Sequence, residues 1–410
     1  MNASSDLGTI ADLDAATAHL QAPLAAVDLA ALRVNADDLV RRAAGKPIRL
    51  ATKSVRCRAV LDRVLDRRGF RGLMAYSLAE AIWLARNGAT DILVAYPTTD
   101  LESLDALSRD ERLRDDITVM VDDPAHLEII EACTTGPIRV CIDIDASLRI
   151  GPLHLGVRRS PLHRVDEVLG LIHQALGNPK VRIVGLMCYD AQVAGVPDTS
   201  LAVRLMKRRS LTELTSRRST IVSATREEVD LEFVNVGGTG SLDVMSQQPD
   251  VTEVTAGSGL FGPTLFDQYR GFTCIPALAY ALPVVRAPAP EIRTVFSGGF
   301  PASGPAGASR LPTPIWPAGL RLLRTEGAGE VQTPVTGAAA AKLAIGDRVW
   351  WRHAKAGEIC ERFASLTLVD LRSGSIQSSS IPTSSIESSS IESSSIEIVP
   401  TYRGEGKCFG

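Results

Sequence analysis

The sequence predicts an α/β protein: a parallel (β/α)8 barrel of the TIM type, followed by a smaller, mainly-β C-terminal domain. Three observations carry this. Eight short, nearly continuous apolar and β-branched runs recur between about residues 48 and 260, as strands buried on both faces require. Helical patterns separate them, which makes the strands parallel neighbours joined by crossovers. After about residue 275 prolines and glycines crowd 283–319 and helical periodicity gives way to short β-like pieces. An open doubly wound sheet is the rival, but no early glycine-rich turn of the dinucleotide-binding kind is present.

In chain order, residues 1–22 read as an N-terminal extension, 23–275 as the barrel and 276–410 as the β domain. The strand candidates are IRLATK (48–53), GLMAYS (72–77), DILVAY (91–96), DITVMVD (116–122), RVCIDID (139–145), IVGLMCYD (183–190), FVNVGG (233–238) and EVTAGSG (253–259). Between them, RAVLDRVLDRR places Val60, Leu61, Val64 and Leu65 on one stripe. DPAHLEIIEAC offers Asp123 as N-cap and Pro124 at the first helical position. VDEVLGLIHQAL gathers Val165, Val168, Leu169, Ile172 and Leu176. The basic segment 206–219 reads as a solvated helix face. In the second domain, DRVWWRHA (347–354) and SLTLVDL (365–371) read as strands. The serine-rich repeat at 373–397 reads as a flexible loop without chemistry, too poor in apolar surface to offset its ordering entropy.

Bulk properties narrow the function. The 410 residues suit two domains, and 45% hydrophobic with 22% charged residues is an ordinary globular balance. A net charge of -3 argues against nucleic acid or an anionic membrane as partner. No apolar run approaches the roughly 20 residues of a membrane span, and the opening lacks the features of a signal peptide. Seven scattered cysteines without a CxxC read as reduced thiols, so a cytoplasmic protein is expected.

Barrel enzymes keep their chemistry at the C-terminal ends of the strands. Those ends carry Lys53, then Ser77 and Glu80, then Asp143, Asp145 and Arg149, then Tyr189, Asp190 and Gln192. The seventh and eighth end in glycine turns, GGTGS (237–241) and GSG (257–259). Successive backbone N–H groups in two neighbouring turns can nest a phosphate, at the usual phosphate place of this fold. A strand-end lysine facing a phosphate cradle suggests pyridoxal 5'-phosphate (PLP), which needs both, with a small-molecule amino acid as substrate. Read alone, Lys53 is equally a surface lysine in a turn, and the bland alternative for Arg149 is a salt bridge with Asp143 or Asp145.

The stretches IRLATKSVRC, IDIDASLRIGPLHLGVR, GLMCYDAQ, and VNVGGTGS followed by EVTAGSGLFG resemble fold-type III PLP enzymes with an alanine racemase-like barrel. The likeness runs to the D-threonine aldolase and D-serine dehydratase branch, and within it to actinobacterial amino acid deaminase/aldolase proteins. It spans about residue 23 to the closing VPTYRGEGK. The resemblance implies that Lys53 holds the cofactor covalently and that Arg149 faces the pyridine nitrogen. It sets Tyr189 beside the ring, and makes Gly238, Thr239, Gly240, Gly257 and Ser258 the phosphate cradle. It further implies a homodimer and a lyase acting on β-hydroxy D-amino acids, by retro-aldol cleavage or by dehydration and deamination. Relatives carry a histidine followed two residues later by aspartate or cysteine, binding a divalent metal. Here WWRHAKAGEICER supplies His353, but Lys355 stands at the second position. Cys360 or Glu358 is then the substitute ligand; otherwise His353 acts alone as the catalytic base. A racemase on the same fold, with Tyr280 or Tyr402 as second base, is one alternative. A non-catalytic PLP-binding protein is the other, against which the residues after 275 argue.

Overall fold

A computed structural model describes residues 8–371 and 395–409. Eight parallel strands close into a barrel: β1 (Ile48–Ala51), β2 (Phe70–Ala75), β3 (Ile92–Pro97), β4 (Ile117–Val121), β5 (Ile138–Asp143), β6 (Val181–Cys188), β7 (Phe233–Val236) and β8 (Glu253–Ala256). They follow chain order around the barrel, and β8 pairs back onto β1. All eight predicted strands are present. Several stop short of the predicted C-terminal residues, because the chain turns there. Thr52–Ser54 is a single 3₁₀ turn, and the glycines at 237–240 and 257–259 lie beyond their strands.

Alternation along β1 sends Ile48 and Leu50 into the core shared with the helices, while Arg49 points into the barrel. There it makes a two-pronged pair with Glu253, at 2.7 and 2.9 Å, and Asn235 donates to the same carboxylate. Above this polar layer Met74, Leu93, Met120, Met187 and Phe233 form an apolar floor. Gly185 on β6 makes room for it: any side chain there would overlap the Phe233 ring. The predicted helices form where expected. Asp123 caps Pro124–Cys133 by accepting from the Ala125 amide, and Val165–Leu176 buries Val168 and Ile172.

The domain reading needs one correction. Leu24–Asp28, assigned to the barrel from sequence, is a strand of the second sheet, between Leu278–Ala289 and Ser365–Asp370. An apolar strand buried on both faces looks the same in either sheet, so composition does not reveal its partners. The predicted strand at 347–354 is Arg348–Arg352, which pairs with Leu278–Ala289 and Thr313–Trp316. The extension contains the helix Ile10–Ala16, whose Leu13 packs with Ala26, Ala281 and Trp350.

The basic segment is also corrected. It lies within Leu201–Glu228, but three of its cations turn inward. Arg218 is buried against Asp250, Lys207 pairs with Asp198, and Arg217 donates to the carbonyls of Asp145 and His163. The serine-rich loop falls outside the described residues, except that Ser395–Pro400 pairs antiparallel with Ser365–Asp370. Among the described residues no helix is long and apolar enough to cross a membrane, and all seven cysteines are unpaired.

The second domain grips the barrel mouth beside β1. The Tyr402 amide donates to the Arg56 carbonyl at 2.9 Å, and Arg56 pairs with Glu361. The amides of Thr264 and Leu265 donate to the carbonyls of His353 and Ala354.

Candidate active site

Where β1 ends, Thr52 turns inward and its hydroxyl donates to the Met74 carbonyl at 3.0 Å. Lys53 is thereby turned into the barrel mouth. Its Nζ lies 2.7 Å from the hydroxyl of Tyr96, the last but one residue of β3. Burial works to raise the Tyr96 phenol, but the cations Lys53 and then Arg159 outweigh it and hold the pKa below its usual value.

The two glycine turns lie next to β1 because β7, β8 and β1 are consecutive in the barrel. Gly237 has φ +80, a conformation that favours glycine. A Cβ on Gly257 would sit 2.8 Å from the Ala51 carbonyl oxygen, and one on Gly238 3.3 Å from the Tyr189 ring. Thr239 ties the turns together: its Oγ1 lies 3.2 Å from Ser258 Oγ and accepts from the Gly259 amide. The result is a concave, amide-rich surface at the place where an anion is expected.

One cavity of about 280 Å³ joins these parts. Lys53, Tyr189, Gly238, Thr239, Gly257 and Ser258 all line it, as do Arg159, Lys355 and Glu358. Six of the predicted site residues thus meet in one space.

The others do not. Arg149 is held by Asp145 at 2.6 Å and lines a neighbouring surface cleft, so its ion-pair reading is the one observed. The guanidinium at the cavity is that of Arg159, 5.5 Å from the Tyr96 ring centre and 5.6 Å from that of Tyr189. Gly240 serves packing instead, since a Cβ there would overlap the Ala194 carbonyl. His353 is 3% exposed and lines an adjoining pocket rather than the Lys53 cavity. Burial, reinforced by Arg352, lowers its pKa to about 3, which keeps the imidazole neutral. Cys360 is buried, lines neither space, and has its thiol pKa raised by desolvation. Among the described residues no three His, Cys, Asp or Glu side chains gather into a metal-holding group. A cation, Lys355, occupies the cavity wall where a ligand was sought. The donor set does not fit a metal.

Buried acids ring the mouth. Desolvation above all raises the carboxyl pKa values of Glu80 to about 7, Asp143 to about 8 and Asp190 to about 7. Such a group holds its proton in the fold after the unfolded chain has lost it. Its contribution to stability is therefore full below the unfolded pKa and disappears as pH rises through the folded one. For Glu80 that window runs from 4.5 to about 7. Glu80→Gln, which keeps the neutral shape, should gain on the wild type between pH 5 and pH 8 by roughly 1–3 kcal/mol. Urea unfolding at both pH values checks this; a difference that does not change with pH would contradict it.

Tyr96, Arg159 and Ser303 escaped the sequence reading. Tyr96 was findable, since it ends a barrel strand like the groups that were chosen. Arg159 lies ten residues beyond Arg149, after the hairpin formed by Leu148–Ile150 and Leu153–Leu155; an arginine pair beside Gly156 was the only signal. Ser303 lies in the proline- and glycine-rich stretch, where nothing marked it.

The barrel, the lysine and the doubled glycine turn with a β domain beside them form an alanine racemase-type architecture. The family model "Alanine racemase, N-terminal domain" matches residues 27–264, and the chain belongs to that family, whose fold binds PLP. Among solved structures, the D-threonine aldolase from Filomicrobium marinum is 19% identical, with 86% of this chain and 92% of that chain covered and a TM-score of 0.71. The D-threo-3-hydroxyaspartate dehydratase from Delftia sp. HT23 is 20% identical, covering 86% and 95%, with a TM-score of 0.64. The alanine racemase from Bacillus anthracis is 14% identical, covering 94% and 99%, with a TM-score of 0.60. No curated protein matches the chain.

Proposed function

We propose that the protein is a PLP-dependent lyase of β-hydroxy D-amino acids. It would cleave them to glycine and an aldehyde, or dehydrate and deaminate them to a keto acid and ammonia. The observation that carries this is the single cavity shared by the Lys53 amine and the two glycine turns. The residues fit the cofactor: Gly238, Thr239, Gly257 and Ser258 line the cavity that Lys53 enters, and the Thr239 and Ser258 hydroxyls lie 3.2 Å apart on its wall. Lys53 would hold PLP covalently, the two turns its phosphate, and Tyr189 with Arg159 its flank. When bound, PLP supplies the electron sink for the bond broken at the substrate α-carbon.

The chain supplies the proton handling. Lys53 Nζ holds and returns the proton at the α-carbon, and Tyr96, 2.7 Å away, fixes its position. Glu358 is the one carboxylate lining the cavity among the described residues, so it replaces His353 as acceptor of the substrate hydroxyl proton in retro-aldol cleavage. In dehydration its protonated form would give a proton to the departing hydroxyl, which leaves as water. Pro263, Leu265 and Phe266 close the second-domain side against water.

A lyase is favoured over a racemase because neither tyrosine considered as second base reaches the cavity from within this chain. Tyr280 is fully buried against Phe300 and Phe363, and Tyr402 packs edge-on to Trp83. The proposal includes a cytoplasmic homodimer with no nucleic-acid or membrane partner, the dimer being testable by sedimentation.

The PLP-loaded protein should convert D-threonine and D-serine to aldehyde or keto acid equally well with and without a chelator. Formation of the opposite enantiomer alone would overturn the assignment. Thr239→Val, which removes the tie between the turns, should weaken PLP affinity about tenfold, measured by titrating the apoprotein. Unchanged affinity would remove the turns from the cradle.

A further inference from the structure

Asp190 takes no part in the chemistry above, yet it stands against the first glycine turn. β6 and β7 pair with Cys188 opposite Val236, so Asp190 comes level with Gly238, each two residues further on. The Asp190 carbonyl accepts from the amides of Val193 and Ala194, at 2.8 and 2.9 Å. Ala194 in turn abuts the glycine turn, since a Cβ on Gly238 would sit 3.2 Å from its own. The Asp190 side chain is fully buried, and neither carboxyl oxygen has a hydrogen-bond partner among the described residues. A carboxyl so placed is costly to ionise.

Two cations act on it from the helix Leu201–Glu228, but each has a carboxylate of its own. Asp198 holds Lys207 at 2.8 Å, and Asp250 holds Arg218 at 2.8 Å. Cys188, Tyr189 and Tyr269 face Asp190 as uncharged groups, all with pKa values raised foremost by burial. Desolvation raises the Asp190 carboxyl to about 7, against the Ser241 hydroxyl and then the two cations. Ser241 belongs to the turn, and its Oγ accepts from the Gly238 amide at 3.3 Å. A phosphate in that turn would bring more negative charge to the same dry region. An ionised Asp190 would then repel it, whereas a protonated one would not.

We infer that Asp190 is a proton-carrying positioning residue for the cofactor phosphate: neutral, it backs the turn, and on ionising it loosens the phosphate. Cofactor binding and protonation of Asp190 are then coupled, and each favours the other. This rests on the PLP reading above. The apoproteins of the wild type and Asp190→Asn should be titrated at pH 6 and pH 8.5 with PLP and with pyridoxal, which lacks the phosphate. Between these pH values the wild-type dissociation constant for PLP should rise roughly 5- to 10-fold more than that of the variant. With pyridoxal the two proteins should change alike. The same pH dependence for PLP in both proteins, or an equal difference with pyridoxal, would overturn the inference. Should Asp190→Asn not fold, the wild type decides alone. Calorimetry with sulfate, a dianion that takes up no proton in this range, should show proton uptake on binding at pH 7.5, read by comparing two buffers of different ionisation enthalpy. No binding, or binding without uptake, would overturn it. If PLP itself does not bind, the cofactor reading fails, while the sulfate result still decides the link between Asp190 and the turn.

Discussion

Lys53→Ala is expected to abolish the visible absorption of the PLP-loaded protein and to lower turnover of β-hydroxy amino acids by on the order of 10³-fold or more. On the proposed function the same amine would serve twice, as the covalent anchor and as the proton carrier at the α-carbon, so no neighbour would replace both roles. Stability should change little, by about 0.5 kcal/mol at most. The side chain is exposed and extends into the cavity, where its hydrogen bond is to Tyr96. Turnover near the wild-type value, or a variant that fails to fold, would show that Lys53 has another task.

Gly357→Ala is expected to act on the same lysine from the opposite domain. Gly357 has φ +93, and a Cβ there would overlap the carbonyl of Lys53 and crowd the Cα of Ser54. The obstacle is backbone on both sides, so no rotamer change relieves it. The variant must either push the second domain off the mouth or unwind the turn Thr52–Ser54 that aims Lys53. We expect a loss of about 2–4 kcal/mol in unfolding free energy. Saturation with PLP should require a higher concentration even where the protein remains folded. Urea unfolding and PLP titration measure the two effects separately. Wild-type values in both would show that the domains touch here without consequence for the lysine.

The barrel was legible because its strands are apolar on both faces, a pattern that survives without knowledge of partners. DILVAY and IVGLMCYD show it plainly, and the structure places strands at both. Leu24–Asp28 shows the limit of that signal. LAAVD announces a buried strand but not which sheet buries it, and its partners lie more than 250 residues away. In the site, Lys53 and the glycine turns were legible for a topological reason. Each ends a strand, and chain order fixes that the seventh, eighth and first strands are adjacent. Arg149 and Arg159 were not separable by that logic, since both follow β5, and only the hairpin that contains Arg149 and precedes Arg159 decides which one reaches the cavity. The same holds for His353, Lys355 and Cys360. They come from one short stretch of the second domain, and the docking of that domain on the barrel determines which side chain faces Lys53.

On the proposed function, Lys53 and the paired glycine turns would hold opposite ends of one PLP molecule. Borohydride reduction of the PLP-loaded protein, followed by peptide mapping, tests it most directly. A pyridoxyl group is expected on the peptide that contains Lys53, and it should be lost when excess inorganic phosphate competes during loading. A label on Lys355 or another lysine, or none at all, would contradict it.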